Sequence, residues 1–428
     1  MYSTIRFFAH LVRDIAGTFA ARWRRFYRRT VLGEDVAAVA VDIFPFFEKM
    51  TGVGWYEWNL LEAMDRVGGG LEYNLYGHTF LAPDEPAPPP MPGTGRMRMR
   101  VHQIPASFWL PVRCTLTLLR AVAEPLLRWL DGNDVLFAPN FFPHRTQAAW
   151  GSGLVSTVHD LAFAVLPETV APDTLAELAR HVPASLFHSD RIIAVSEATR
   201  QDLIAHLGIS PRRIHVIHEG LDPCFAVAGD GEERPPDLPD RYVLLVSTIE
   251  PRKNVAAVVR AFNLLADWGY GGSLVLVGRW GWHTEAIRTE IGASPVRDRI
   301  VHLDYVARQA LPALYRGADA LLFPSLMEGF GLPILEAMAC GTPVVTSGHS
   351  AMPEVAGPAG VYVDPERPQS IASAVEALLS DEQHRRRLAE LGRARAGRFD
   401  WNAAARATVQ VLRQAAGLIP SDDDEYRV

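Results

Sequence analysis

Short apolar runs alternate with helix-length segments along nearly the whole chain, and after one polar interruption the alternation starts again. The first series of runs falls at residues 36–43, 71–76, 135–138, 154–158, 192–195 and 214–217, with helical patterning near 54–67, 107–130, 172–188 and 197–207. The second falls at 242–247, 273–277, 300–303, 320–323, 343–346 and 360–363, again with helical stretches between. Apolar runs of roughly four to eight residues are the right length for strands buried on both faces and too short for core helices. Strands separated by helices join through crossovers, which makes parallel sheets covered by helices on both sides. The expected class is α/β, with two doubly wound domains. Residues 96–101 alternate Arg with Met or Val and suit a half-exposed edge strand.

The interruption, Gly229-Asp-Gly-Glu-Glu-Arg-Pro-Pro-Asp-Leu-Pro239, is polar and proline-rich, as a linker is. A chain of 428 residues, 48% of them hydrophobic, has material for two cores. The expected division is a basic helix at 1–33, a first domain at 34–225, a linker at 226–240, a second domain at 241–400, and a final helix with an acidic tail at 401–428. Residues 82–93 read as a long proline-rich loop. The acidic residues 422–425 read as solvated charge, with no metal assigned to them.

A net charge of −7 argues against nucleic acid as a partner, because that binding leans on a basic face. The three cysteines, Cys114, Cys224 and Cys340, have no C-x-x-C spacing, which fits a reducing, cytoplasmic compartment and no structural zinc. No uninterrupted apolar run is long enough to span a bilayer. In the first 33 residues Ile5, Phe8, Val12, Ile15, Phe19, Trp23 and Phe26 recur at helical steps. Arg6, Arg13, Arg22, Arg24, Arg25, Arg28 and Arg29 accompany them almost unopposed by acid. Two readings stand: an in-plane helix on anionic lipid, or a helix packed on its own domain with its arginines in water.

The polar chemistry gathers where strands end. After the run 320–323 comes Ser325-Leu-Met-Glu328-Gly-Phe-Gly-Leu-Pro-Ile-Leu-Glu336, an E-x7-E pair across a glycine turn that becomes a helix. Pro333 suits a helix start and Gly341 its end. The amides of Gly329, Phe330 and Gly331 lie where a helix N-terminus receives anions, and Glu328 and Glu336 offer acceptors to hydroxyls. After the run 242–247 comes Glu250-Pro-Arg252-Lys253-Asn254, two cations at a strand end, with Asn254 read as a helix N-cap. Lys253 meets a diphosphate as a point charge and Arg252 as a planar fork. Thr51-Gly-Val-Gly54 forms a glycine turn after the first strand, and His159-Asp160 ends the strand at 154–158. Ser196-Glu197 reads as a structural helix cap. Doubly wound domains bind ligands outside the carboxyl ends of their strands, so two of them facing each other make a cleft that collects these groups.

Taken in order, Gly52-Val-Gly-Trp-Tyr56, Val158-His-Asp160, Ala194-Val-Ser-Glu-Ala-Thr-Arg200, Val216-Ile-His-Glu-Gly-Leu-Asp222, Glu250-Pro-Arg-Lys-Asn254, Val277-Gly-Arg-Trp-Gly281, Leu314-Tyr-Arg-Gly-Ala-Asp319 and the E-x7-E block with Gly341-Thr-Pro-Val-Val345 resemble a retaining glycosyltransferase of family 4, bacterial mannosyltransferase-like. The resemblance runs from about 36 to 418. It implies the GT-B architecture, two facing Rossmann-like domains with an interdomain cleft. It implies Glu328 on the donor sugar's hydroxyls, Glu336 on the ribose, Arg252 and Lys253 on the diphosphate, and the amides of Phe330, Gly331 and Leu332 beside them. It places His159 near the anomeric carbon and Gly54 near the diphosphate. It implies no cofactor and no metal, since the cations neutralise the leaving group. Transfer is expected from a nucleoside-diphosphate sugar, GDP-mannose first, to a saccharide or lipid-linked saccharide in bacterial polysaccharide assembly, with the protein cytoplasmic or peripheral on the inner face of the cell membrane. The residues from Phe399-Asp-Trp-Asn402 onward resemble the final helix that crosses back to the first domain. A departure stands at His218-Glu219, where many relatives have proline-asparagine. The alternatives are a noncatalytic nucleotide-sugar or glycan-binding protein and a sugar-nucleotide epimerase. A dinucleotide dehydrogenase is disfavoured, since no G-x-G-x-x-G follows an early strand.

Overall fold

The computed structural model describes residues 19–43, 46, 50–76, 96–99, 132–142, 153–226 and 238–420. The expected helix near 107–130, the loop at 82–93, linker residues 227–237, the acidic tail and Cys114 lie outside the described residues.

Both series of apolar runs form all-parallel sheets. The first holds β1 (Ala37–Asp42), β2 (Leu71–Tyr76), β3 (Met97–Met99), β4 (Val135–Ala138), β5 (Gly153–Val158), β6 (Arg191–Ala194) and β7 (Ile214–Val216). Their order is β3-β2-β1-β4-β5-β6-β7. The second holds β8 (Tyr242–Val246), β9 (Ser273–Val277), β10 (Ile300–His302), β11 (Ala320–Phe323), β12 (Val344–Ser347) and β13 (Gly360–Val363), in the order β10-β9-β8-β11-β12-β13. Each order reverses once, between β1 and β4 and between β8 and β11. At such a reversal the crossovers leave on opposite faces and open a crevice above the strand ends. The central strands are buried on both sides: Val39 lies between Tyr73 of β2 and Val135 of β4. Removing a Val or Leu side chain from water contributes about 1.5–3 kcal/mol, so these apolar runs hold the sheets in register. The edge reading of 96–101 corresponds to β3, which among the described residues pairs only with β2.

Helix α1 (Gly52–Val67) follows β1. In the first domain α2 (Glu197–Leu207) follows β6, and the Ser196 hydroxyl accepts the Thr199 amide at its start, as the cap reading expects. In the second domain α3 (Leu332–Cys340) follows β11 and α4 (Met352–Ala356) follows β12. Helix α5 (Trp401–Ala415) is capped by Asp400, whose carboxylate accepts the amides of Asn402 and Ala403, and it packs on α1 and β5 of the first domain. A side chain at Gly220 would collide with the Trp401 backbone, so the chain crosses there at backbone contact. Through Phe225, Phe330, Phe399 and Trp401 the apolar interiors of both domains join in one cluster.

The amino-terminal segment packs on its own domain, as one of the two readings expects, but not with all of its arginines in water. Residues 19–30 are helical, and they meet the domain through arginines rather than aromatics. Arg25 pairs with Glu72 at 3.1 Å, Arg29 with Asp134 at 3.0 Å and Arg28 with Glu34 at 2.6 Å. Phe19, Trp23, Phe26 and Tyr27 face outward, Trp23 at 68% exposure.

Candidate active site

Lys253 follows β8 and Glu328 follows β11, the two strands that flank the reversal in the second sheet. Because β8 and β11 are hydrogen-bonded neighbours, the turns beyond them meet. Lys253 Nζ donates to both oxygens of Glu328, at 2.6 and 2.8 Å. Arg252 Nη1 lies 3.4 Å from the same carboxylate and donates to the Met327 carbonyl at 3.0 Å. It also lies 3.4 Å from Asp160 of the first domain, while Nη2 lies 3.0 Å from Glu250. Burial works to lower the Arg252 pKa, but Asp160, Glu328 and Glu250 around it hold it above its ordinary value. Burial raises the Glu250 carboxyl in spite of Lys253 and Arg252. The backbone of Glu328 is clamped by Ser350: the Glu328 amide donates to its hydroxyl, which in turn donates to the Glu328 carbonyl at 2.6 Å.

Asn254 corrects its N-cap reading. It stands just before the helix at Val255–Asp267 but adopts left-handed backbone (φ 59°), and its side chain caps nothing. Its amide instead donates to the carbonyls of Pro324 and Pro365, tying the cation turn to the chain beyond β11 and β13. Nearby glycines are required for two different reasons. A side chain at Gly329 would overlap the carbonyl oxygen of His159, and Gly331 has φ 109°, open to glycine and strained for other residues. Gly331 stands at the N-cap position of α3, so the amides of Phe330, Gly331 and Leu332 precede the first helical hydrogen bond and lack intrahelical partners. Phe330 is buried, its ring edge-on to Phe399 at 5.6 Å.

His159 faces this group from the end of β5. Its Nε2 lies 2.9 Å from the Pro139 carbonyl oxygen and its Nδ1 lies 3.7 Å from Glu219. Tyr56 meets the imidazole edge-on at 4.7 Å. The Thr199 hydroxyl lies within 3.3 Å of the carbonyls of both His159 and Gly329, so the cleft is closed at this point. Gly54, read as a turn glycine, is the third residue of α1 and is buried, because that helix starts earlier than its apolar periodicity indicates.

Glu336 stands apart from the two cations. Tyr315 donates to its Oε2 at 2.7 Å, and Arg308 Nη1 lies 3.6 Å from its Oε1. Burial raises its carboxyl, and Arg308 and Tyr315 only partly counter that. Arg308 also donates to Asp222 at 2.7 Å and stacks on the Trp55 ring at 4.5 Å, bridging the domains. Burial works to raise the Asp222 carboxyl, yet Arg308 and the Cys224 amide bring it below its ordinary range. Asp160, read with His159 at a strand end, meets Arg252, while Glu219, Arg308 and Tyr315 join the charge balance without any spacing in the sequence that singles them out for it. Glu219 had one signal, the departure from proline-asparagine. Among the described residues no group of three or more His, Cys, Asp or Glu is placed to hold a metal ion, and no helix is long and apolar enough to cross a membrane.

Residues 50–224 match the model of Glycosyltransferase Family 4, and residues 231–395 match that of Glycosyl transferases group 1. The chain is 31% identical over 297 residues to the O-antigen chain mannosyltransferase B of Escherichia coli, covering 66% of this chain and 75% of that protein. It is 30% identical over 430 residues to a D-inositol 3-phosphate glycosyltransferase of Xylanimonas cellulosilytica, covering 91% and 99%. The fold superposes on the sucrose-phosphate synthase of Thermosynechococcus elongatus with a TM-score of 0.66 at 21% identity, over 88% of this chain and 98% of that one. With two parallel sheets facing across a cleft, the chain belongs to glycosyltransferase family 4 and has the two-domain GT-B fold.

Proposed function

We propose that the protein transfers mannose from GDP-mannose to a saccharide or lipid-linked saccharide with retention at the anomeric carbon. The observation that carries the reading is the Lys253–Glu328 pair at 2.6 Å, set at the sheet reversal and facing His159 across the cleft. The mannosyl choice is supported by the name of the Escherichia coli relative. In the structure the two site charges neutralise one another. When the donor arrives, its diphosphate takes Lys253 and Arg252 while its sugar hydroxyls take Glu328, so each buried charge exchanges one partner for another and none is left bare. The leaving diphosphate, held by two cations and the amides of Phe330, Gly331 and Leu332, accepts the proton of the attacking hydroxyl. On this reading no divalent ion is needed for the charge that develops, and Glu336, already fixed by Tyr315 and Arg308, holds the ribose. A membrane surface is the partner we assign to the amino-terminal helix, because its outward face is Phe19, Trp23, Phe26 and Tyr27.

A thermal-shift panel of nucleoside diphosphates and their sugars tests the donor: GDP-mannose is expected to raise the melting temperature most, and a larger shift with UDP-sugars overturns that choice. Lys253→Ala and Glu328→Ala are expected to lower turnover about 100-fold or more, the scale on which one group that stabilises developing charge acts. Full turnover in either variant removes the site assignment.

A further inference from the structure

We propose that Glu219 is a positioning residue of the cleft, fixing the His159 imidazole with a proton on Nδ1. This rests on the cleft being the site of transfer. The Pro139 carbonyl oxygen can only accept, so the ring nitrogen 2.9 Å from it, Nε2, carries a hydrogen. A neutral imidazole protonated there would turn the bare Nδ1 lone pair toward the Glu219 carboxylate, 3.7 Å away. Two acceptors facing each other repel, and both groups are buried, at 8% and 5% exposure, where water screens little. A proton therefore belongs to the pair. The geometry points to Nδ1 as the nitrogen that carries it, turned toward the Glu219 carboxylate.

The carboxylate itself points the same way. Glu219 Oε2 is buried and makes no hydrogen bond, and among the described residues His159 is the one ion-pair partner of Glu219. An ionised carboxylate in that position needs a compensating charge, which an imidazolium supplies. The backbone that carries Glu219 is held independently of His159. The Leu221 amide donates to the Phe399 carbonyl at 2.9 Å, and Asp222 is bound by Arg308 and the Cys224 amide. The other ionisable groups around the pair are Tyr56 on α1, Asp160 and its partner Arg252, and Glu336 with Arg308. With Nε2 bonded to the Pro139 carbonyl and the Glu219 carboxylate 3.7 Å from Nδ1, His159 keeps one orientation. His159 stands in the cleft beside Gly329, and on the proposed function Glu219 acts on the transfer step by holding the His159 ring.

Imidazole nitrogen NMR of the full chain labelled with 15N-histidine reads the proton directly and uses no substrate. The His159 resonances, assigned by their loss in His159→Asn, are expected to show both nitrogens protonated. Glu219→Gln is expected to leave Nε2 protonated and turn Nδ1 into an acceptor, while Glu219→Asp restores the wild-type pattern at least in part. In a donor-turnover assay Glu219→Gln is expected to lower kcat about tenfold and to change KM for the donor less than threefold, since Lys253 and Glu328 are untouched. A bare Nδ1 in the wild type, or an identical spectrum in Glu219→Gln, overturns the proposal whichever sugar nucleotide the enzyme uses. Loss of turnover to GDP-mannose in the wild type with the spectra as expected overturns the donor and leaves the positioning role standing.

Discussion

Glu57 on α1 is fully buried, and among the described residues neither of its carboxyl oxygens has a hydrogen-bond partner. Burial pushes its carboxyl well above the ordinary range, and the nearby Asp42 adds to the rise. The folded protein thus keeps a proton that the unfolded chain releases once pH passes the ordinary carboxylate range, so stability falls as pH rises from there toward the folded value. Glu57→Met keeps the side-chain length and removes both the ionisation and the unpaired oxygens. It is expected to stabilise the protein by about 1–3 kcal/mol at pH 8, with the gain shrinking toward pH 5, as read by thermal unfolding across that range. A gain that does not vary with pH would assign the effect to packing alone. At this scale the site was legible in part. Glu328, Lys253 and Arg252 could be named because each sits in a turn directly after an apolar run, where backbone direction fixes what the side chain faces. Arg308 and Tyr315 could not, because they reach Glu336 only once a separate turn and helix have packed beside α3. No spacing in the sequence encodes that approach.

Elements were legible where hydrophobic period alone decides them and were misread where a specific partner overrides the period. The strands follow their apolar runs to within a residue or so at each end, and for the central ones burial on both faces leaves the register no freedom. Asn254 looked like a cap and is a tie, since the two proline carbonyls beside it offered acceptors that outcompeted its own helix. The amino-terminal helix was ambiguous because its amphipathic pattern says which faces differ and not which one meets the protein. Glu72 and Asp134 decide it by drawing Arg25 and Arg29 inward. If the outward aromatics are a membrane face, binding depends on apolar insertion more than on charge. The full chain is expected to float with vesicles of phosphatidylethanolamine and phosphatidylglycerol. A Trp23→Ser, Phe26→Ser double variant is expected to stay in the soluble fraction with its melting temperature little changed, and salt is expected to weaken flotation only modestly. Flotation equal to the wild type in the double variant assigns the contact to another surface.

Across the whole molecule, the domains are clasped at several points around one cleft. Trp282 Nε1 donates to the Thr169 carbonyl at 2.7 Å, Arg252 reaches Asp160, and Arg308 stacks on Trp55. Glu354, in α4 of the second domain, is the most concentrated of these ties. It accepts the amides of Glu197 and Ala198 at the start of α2 and pairs with His218 at 2.5 Å. Burial works to raise its carboxyl, but the His218 bond and the two amides outweigh burial and hold it below its ordinary range. Its contribution to closure is therefore complete above the carboxylate range of the unfolded chain and is lost as pH falls through the lowered folded value. On the proposed function a donor enters and its nucleotide leaves through this cleft, so the clasp opens in each cycle, and a tie made of one carboxylate on a helix N-terminus is weak enough to break and re-form. Glu354→Ala removes three hydrogen bonds across the cleft at once without touching Lys253 or Glu328. Small-angle scattering at pH 7 is expected to show a larger radius of gyration for that variant than for the wild type, and a saturating donor nucleotide is expected to narrow the difference. Equal radii in the absence of nucleotide mean that the remaining contacts close the molecule unaided and that Glu354 serves only to cap α2.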